Sequence, residues 1–192
     1  GNVNQYNEWL DDYDGVGKYR VIPCWNGRNT VKLVVLNPEQ KSASTELITQ
    51  VQNYFDPPTE TINDNVSDAS YPQGRGMGNG KAPIGAVVTV DTVTEVPVKI
   101  IANITLKNGY TSLIGVQESV KKYFNSLALN KNTISYLAIS AAIYNAESVE
   151  DITTLVVLVK DATMGNSTSI KSVTLEDNEI PVLNEDESVW VT

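Results

Sequence analysis

The spacing of apolar and polar positions changes several times along the chain, and each change marks an element. Val3, Tyr6, Trp9, Leu10 and Tyr13 recur at helical spacing, which predicts a short opening helix. The corner "DGVG" (Asp14–Gly17) ends it with glycine. Two strand-like runs follow, "KYRVIPCW" and "TVKLVVLN", joined by "NGRN" (Asn26–Asn29). An Asn-Gly pair between apolar runs predicts a hairpin, because both residues tolerate positive φ. Pro23 has no N–H to give to a ladder, which places the first strand at a sheet edge. Ser44 is positioned to cap a second helix with Leu47, Ile48, Val51, Tyr54 and Phe55 on one face. "DPP" (Asp56–Pro58) stops that helix.

A long polar and glycine-rich connection then runs from Thr59 to Pro83, and "IGAVVTVD" after it reads as a strand. In "EVPVKIIANITL" (Glu95–Leu106) the alternation is strict. Val96, Val98, Ile100, Ala102, Ile104 and Leu106 fall on one face of a long strand. Ile101, on the other face, implies that this face is not wholly exposed. Leu113, Val116, Val120, Phe124 and Leu127 form the stripe of a further helix. Its "VKKYF" echoes "VQNYF" in the second helix. "AESVEDITTLVV" echoes "YDGVGKYRV" as a helix end, a small-residue corner and a strand. The tail, from "TSIKSVTL" onward, reads as short strands and turns. The predicted fold class is α+β, with two small similar modules, each a short mixed or antiparallel sheet packed by helices. Residues 1–91 form the first, including the loop 59–83, and residues 92–192 the second, with a β-rich tail.

The densest glycine run, "GRGMGNGK" (Gly74–Lys81), invites comparison with phosphate-binding loops. A P-loop needs glycine five residues before its Gly-Lys pair, then Ser or Thr for magnesium. Arg75 holds the first of those positions, and Ala82 and Pro83 follow Lys81. The dinucleotide pattern fails as well, since counting from Gly74 or Gly76 brings Asn79 or Lys81 to the last glycine position. The run also leads into a strand, whereas phosphate loops open a helix. Gly74, Arg75, Gly76, Gly78, Gly80 and Lys81 are therefore expected to form a flexible, polar interaction loop rather than a cofactor site.

Composition narrows the chemistry further. The chain is 41% hydrophobic over 192 residues, enough for a real core. A net charge of −9 argues against nucleic acid and anionic membrane as partners. There is no histidine and one cysteine, Cys24. This removes His-dependent nucleophilic catalysis and makes a structural zinc site untenable, so no catalytic, metal or cofactor-binding residue is assigned. The acidic clusters "LDDYDG" and "EDNEIPVLNEDE" read as a helix end and as solvated turns. A carbohydrate- or surface-binding module is the alternative, but it should present a row of exposed aromatics. Trp9, Trp25 and Trp190 are far apart, and Trp9 lies on an apolar helix face.

Several segments together carry a family resemblance. They are "YNEWLDDYDGVGKYRVIPCWNGRNTVKLVVLN", "STELITQVQNYFDPP", "GRGMGNGKAPIGAVVTVDTVTEVPVKIIANITLKNGYT", "AISAAIYNAESVEDI" and "DNEIPVL". In order and spacing the chain resembles the J-like baseplate proteins of contractile phage tails, as carried by prophages of Gram-positive bacteria. The insert "TETINDNVSDASYPQ" departs from that pattern by its length, and the N-terminal region of the family is missing, as in a C-terminal fragment. The resemblance implies a structural wedge protein around the hub of the tail baseplate. Its implied partners are wedge neighbours and fibre-side proteins, with no cofactor and no enzymatic role. It also implies a place in the virion after assembly in the host cytoplasm. A fragment of such a wedge protein is expected to be a monomer in isolation, its charge favouring solubility.

Overall fold

The computed structural model of the protein describes residues 1–59 and 74–192. The chain divides into two compact units, Gly1–Val93 and Thr94–Thr192. Both are α+β, as the hydrophobic periodicity predicts.

The first unit runs α1 (Val3–Asp11), β1 (Lys18–Pro23), β2 (Thr30–Leu36), α2 (Thr45–Phe55) and β3 (Val87–Asp91). Asn2 and Gln5 form a reciprocal capping box at the start of α1. The Ser44 hydroxyl accepts from the Leu47 N–H at the start of α2. The sheet order is β1-β2-β3, with β1 antiparallel and β3 parallel to β2. Strand β1, with its Pro23, lies at an edge as expected. Leu33 and Val35 of β2 and Val88 and Val90 of β3 meet Tyr6 and Leu10 of α1 and Val51 and Phe55 of α2 in one core. Tyr6 stacks on Phe55 with ring centroids 5.7 Å apart, and Trp9 stands edge-on to Tyr6 at 5.5 Å. Tyr13 lies beyond the end of α1, where its ring meets Tyr54 of α2 at 5.0 Å.

The hairpin between β1 and β2 differs from the tight turn that "NG" predicts. Six residues, Cys24–Asn29, separate the strands, with positive φ at Cys24, Gly27 and Asn29 rather than at Asn26. The Thr30 hydroxyl holds the loop by donating to Gly27 O (2.7 Å) and accepting from the Asn26 N–H (3.0 Å).

The second unit is built on β4 (Thr94–Leu106). It continues with α3 (Val116–Leu127), β5 (Thr133–Ser135), α4 (Tyr136–Tyr144), β6 (Val149–Val159), β7 (Ala162–Gly165), β8 (Ser172–Thr174), β9 (Glu179–Leu183) and β10 (Val189–Val191). The main sheet runs β10-β4-β6-β7, with β9 pairing the first part of β4. β6 is antiparallel to β4, whereas β9 and β10 are parallel to it. Strands β5 and β8 form a separate antiparallel pair. The alternating face of β4, Val96 to Ile104, is buried under Val120, Phe124 and Leu127 of α3 and Ile139 and Ile143 of α4. Leu113 precedes α3 rather than extending its stripe, yet it packs on the same core. The two units thus share a plan of helices on a mixed sheet but not a strand order.

Candidate functional site

The glycine loop begins where α2 ends. Pro57 and Pro58 cannot continue the helix, and the last carbonyls of a helix have no partner within it. Here the loop supplies the partners. The Lys81 N–H donates to Tyr54 O (3.0 Å) and the Ala82 N–H to Phe55 O (2.9 Å). Gly80 permits this approach, since a Cβ there would lie 2.5 Å from the Phe55 carbonyl oxygen.

Asp56, the C-cap of α2, is 2% exposed and anchors the other side of the loop. Its Oδ1 accepts from the Gly76 N–H at 2.7 Å and its Oδ2 from the Val88 N–H at 2.9 Å. Burial holds the Asp56 carboxyl above the usual range of aspartate. The Gly76 and Val88 N–H groups and the Arg75 guanidinium offset part of that rise. Tyr6, in the same core, has its phenol pushed up to about 12 by burial and by the Asp56 carboxylate, so it stays neutral. Gln52, one helical turn before Asp56, donates from Nε2 to Asp56 O (2.8 Å) and Val88 O (3.0 Å). Its Oε1 accepts from the Val90 N–H at 3.0 Å. Arg75 Nη1 also donates to Val88 O, at 3.1 Å.

The loop then closes on itself. The Gly85 N–H donates to Gly76 O (2.7 Å), and the Thr59 hydroxyl donates to Gly74 O (3.1 Å). Gly85 sits in the Pro83–Ala86 turn with φ +86°, ahead of β3 rather than inside it. The segment Gly74–Pro83 is therefore a return held by hydrogen bonds at the α2 terminus. Several of its N–H groups are bonded to protein acceptors. The insert that lengthens the connection lies, Thr59 apart, outside the described residues. Gly76, Gly80 and Lys81 meet the α2 terminus, whereas Arg75 reaches Val88 O, Gly74 meets Thr59 and Gly78 lies beside Ile84. The Lys81 ammonium lies 5.8 Å from the Tyr54 ring centroid. The N–H groups of Gly76, Lys81 and Gly85 point at Asp56, Tyr54 and Gly76 oxygens rather than into a shared anion cradle.

Asp56 and Gln52 are the organising residues that the sequence pattern missed. "DPP" carried only a stop signal, and nothing local shows that the carboxylate reaches N–H groups 20 and 32 residues away. The second acidic cluster spans β9, with Glu179 as that strand's first residue and its other acidic residues in the flanking turns. There Lys121 meets Glu185 at 3.0 Å and Lys160 meets Glu179 at 2.7 Å. Among the described residues, no group of three Cys, Asp or Glu could hold a metal ion. Trp25 is exposed at the β1–β2 hairpin, Trp9 packs on the core of the first unit, and Trp190 on that of the second.

The pattern of the baseplate J-like central domain matches residues 1–92, and that of the baseplate J-like protein C-terminal domain matches residues 98–185. The chain belongs to the baseplate J-like family, whose members are structural components of phage and prophage tail baseplates. It is 34% identical over 187 residues to the phage-like element PBSX protein XkdT of Bacillus subtilis (strain 168), covering 96% of this chain and 47% of that protein. Its similarity to the protein YqbT of the same strain is 36% over 154 residues, covering 78% of this chain and 39% of that one. The chain spans about half the length of the first of these relatives and less of the second. A chain in the cryo-EM structure of the anti-feeding prophage (AFP) baseplate, 6-fold symmetrised, has the same fold. Its TM-score is 0.57 at 12% identity, over 96% of this chain and 37% of that one.

Proposed function

We propose that this chain serves the tail baseplate through protein–protein contacts alone, without catalysis and without a cofactor. The supporting observation is that the family match runs through both compact units, so each is a building block of a baseplate protein. Its partners are other baseplate and tail proteins, namely wedge neighbours and fibre-side proteins, rather than nucleic acid or membrane. The protein is virion-borne after assembly in the host cytoplasm, and the isolated chain is a monomer.

The glycine loop, Gly74 to Lys81, is a contact segment of fixed shape. In support, the pinned return holds Ile84 out with 86% of its surface exposed, beside Gly78. An apolar side chain of that exposure on a fixed backbone suits a pocket on a neighbour. The test is co-purification of the chain with the products of adjacent tail genes, with wild type and Ile84→Asp compared. Wild type should retain a baseplate neighbour, and Ile84→Asp should release it at unchanged melting temperature. Failure of the wild-type chain to retain any tail protein would contradict the contact role.

A further inference from the structure

Strand β3 ends the first sheet, and its far side faces no strand among the described residues. In an edge strand every second residue turns its N–H and C=O away from the sheet. The Val87 N–H points toward the β2 side, donating to Asn29 O at 2.8 Å. Val88 and Val90 therefore point outward, and three of their four groups meet side chains. The Val88 N–H donates to Asp56, Val88 O accepts from Gln52 and Arg75, and the Val90 N–H donates to Gln52. The Gln52 amide offers one donor and one acceptor, the pair that a neighbouring strand's peptide group would offer. We infer that Gln52, Asp56 and Arg75 act as a surrogate strand that shuts the β3 edge against pairing with a second copy of this chain.

A second copy is the relevant occupant because its β3 would carry the same outward groups on Val88 and Val90. Two such edges related by a two-fold axis are self-complementary. "VVTV" (Val87–Val90) also has high β propensity, no charge and no proline, the composition of strands that associate when an edge opens. The guard does not depend on the proposed contact role of the loop.

The test is Gln52→Ala in the whole chain, followed by amide hydrogen exchange and light scattering. Alanine preserves helix propensity, so α2 should persist by circular dichroism. In dilute wild type the Val88 and Val90 amides should be protected although they lie at an edge. In Gln52→Ala the Val90 amide should exchange at least about tenfold faster. The variant should also form dimers or larger species as its concentration rises, with Val90 protected again in the associated form. A folded Gln52→Ala with a slow Val90 amide would overturn the inference. So would a fast Val90 amide in a variant that stays monomeric at the highest attainable concentration. If the variant does not fold, wild-type exchange decides. Val88 and Val90 amides as fast as those of the Cys24–Asn29 loop would overturn the guard, and slow ones would support it.

Discussion

Replacing Asp56 by alanine should release the glycine loop and destabilise the first unit. The carboxylate satisfies two buried donors, the Gly76 N–H at 2.7 Å and the Val88 N–H at 2.9 Å. Alanine is too short to replace either bond, and each orphaned buried donor costs about 1–3 kcal/mol. Removal of a buried carboxyl, which burial holds above its ordinary range, returns part of that. The net expectation is a loss of about 2–5 kcal/mol, in the range reserved for broken buried networks. For a unit of this size each kcal/mol moves the melting temperature by about 4–8 °C. Trp9 reports on the first unit because its ring lies 6.0 Å from Phe55, the residue before Asp56. Urea unfolding followed by Trp9 fluorescence, with Trp25 and Trp190 replaced by Phe in every protein compared, measures the loss. Asp56→Asn should recover less than half of it. Its amide oxygen can accept one of the two N–H bonds, but its NH2 then faces the other donor. A loss below about 0.5 kcal/mol for Asp56→Ala, the level of an ordinary surface change, would refute the anchor.

Three further outcomes follow from the same geometry. Gly85→Val should destabilise the first unit more than Lys81→Ala, since valine is strained at φ +86° while the Lys81 side chain makes a ring contact at 5.8 Å; paired melting curves decide the order. The folded state holds the Asp56 carboxyl above its unfolded value, so its contribution is full below that unfolded value and is lost as pH rises through the folded one; the stability difference between wild type and Asp56→Asn should shift in that direction in a pH series. Glu179 has the opposite sign: the Lys160 hydrogen bond and then the Glu176 N–H hold it below its ordinary range, so its contribution is present above the unfolded value and is lost as pH falls through the folded one, a dependence that Lys160→Ala should weaken.

Much of the fold was legible because its signals are local. Ser44 announced α2, and the strict alternation from Val96 to Ile104 announced both β4 and its buried face. What escaped notice depends on distant partners. Strands β9 and β10 lie parallel to β4, and the Ile100 N–H donates to the Ser188 hydroxyl across 88 residues of chain. No periodicity in either segment encodes that pairing. Helix α4, "YLAISAAIY", is nearly all apolar, so its pattern has no polar face to reveal the 3.6 period. The echo at Ala146 located its end but not its span. Ile101 stands 36% exposed and Glu95 and Lys99 are half-buried, so the second face of β4 is not wholly exposed, as its sequence suggested. The glycine loop shows the same limit. Its failure as a phosphate template was readable residue by residue, whereas its true acceptors, Asp56 and the last carbonyls of α2, became visible only in three dimensions.

A baseplate component that works by contact should be visible in assembled tails. Cryo-electron microscopy of tail particles produced from the genes that encode it tests this most directly. Density for both units is expected within the baseplate, with Ile84 seated against a neighbouring tail protein. Assembled tails in which neither unit appears in the baseplate would contradict it.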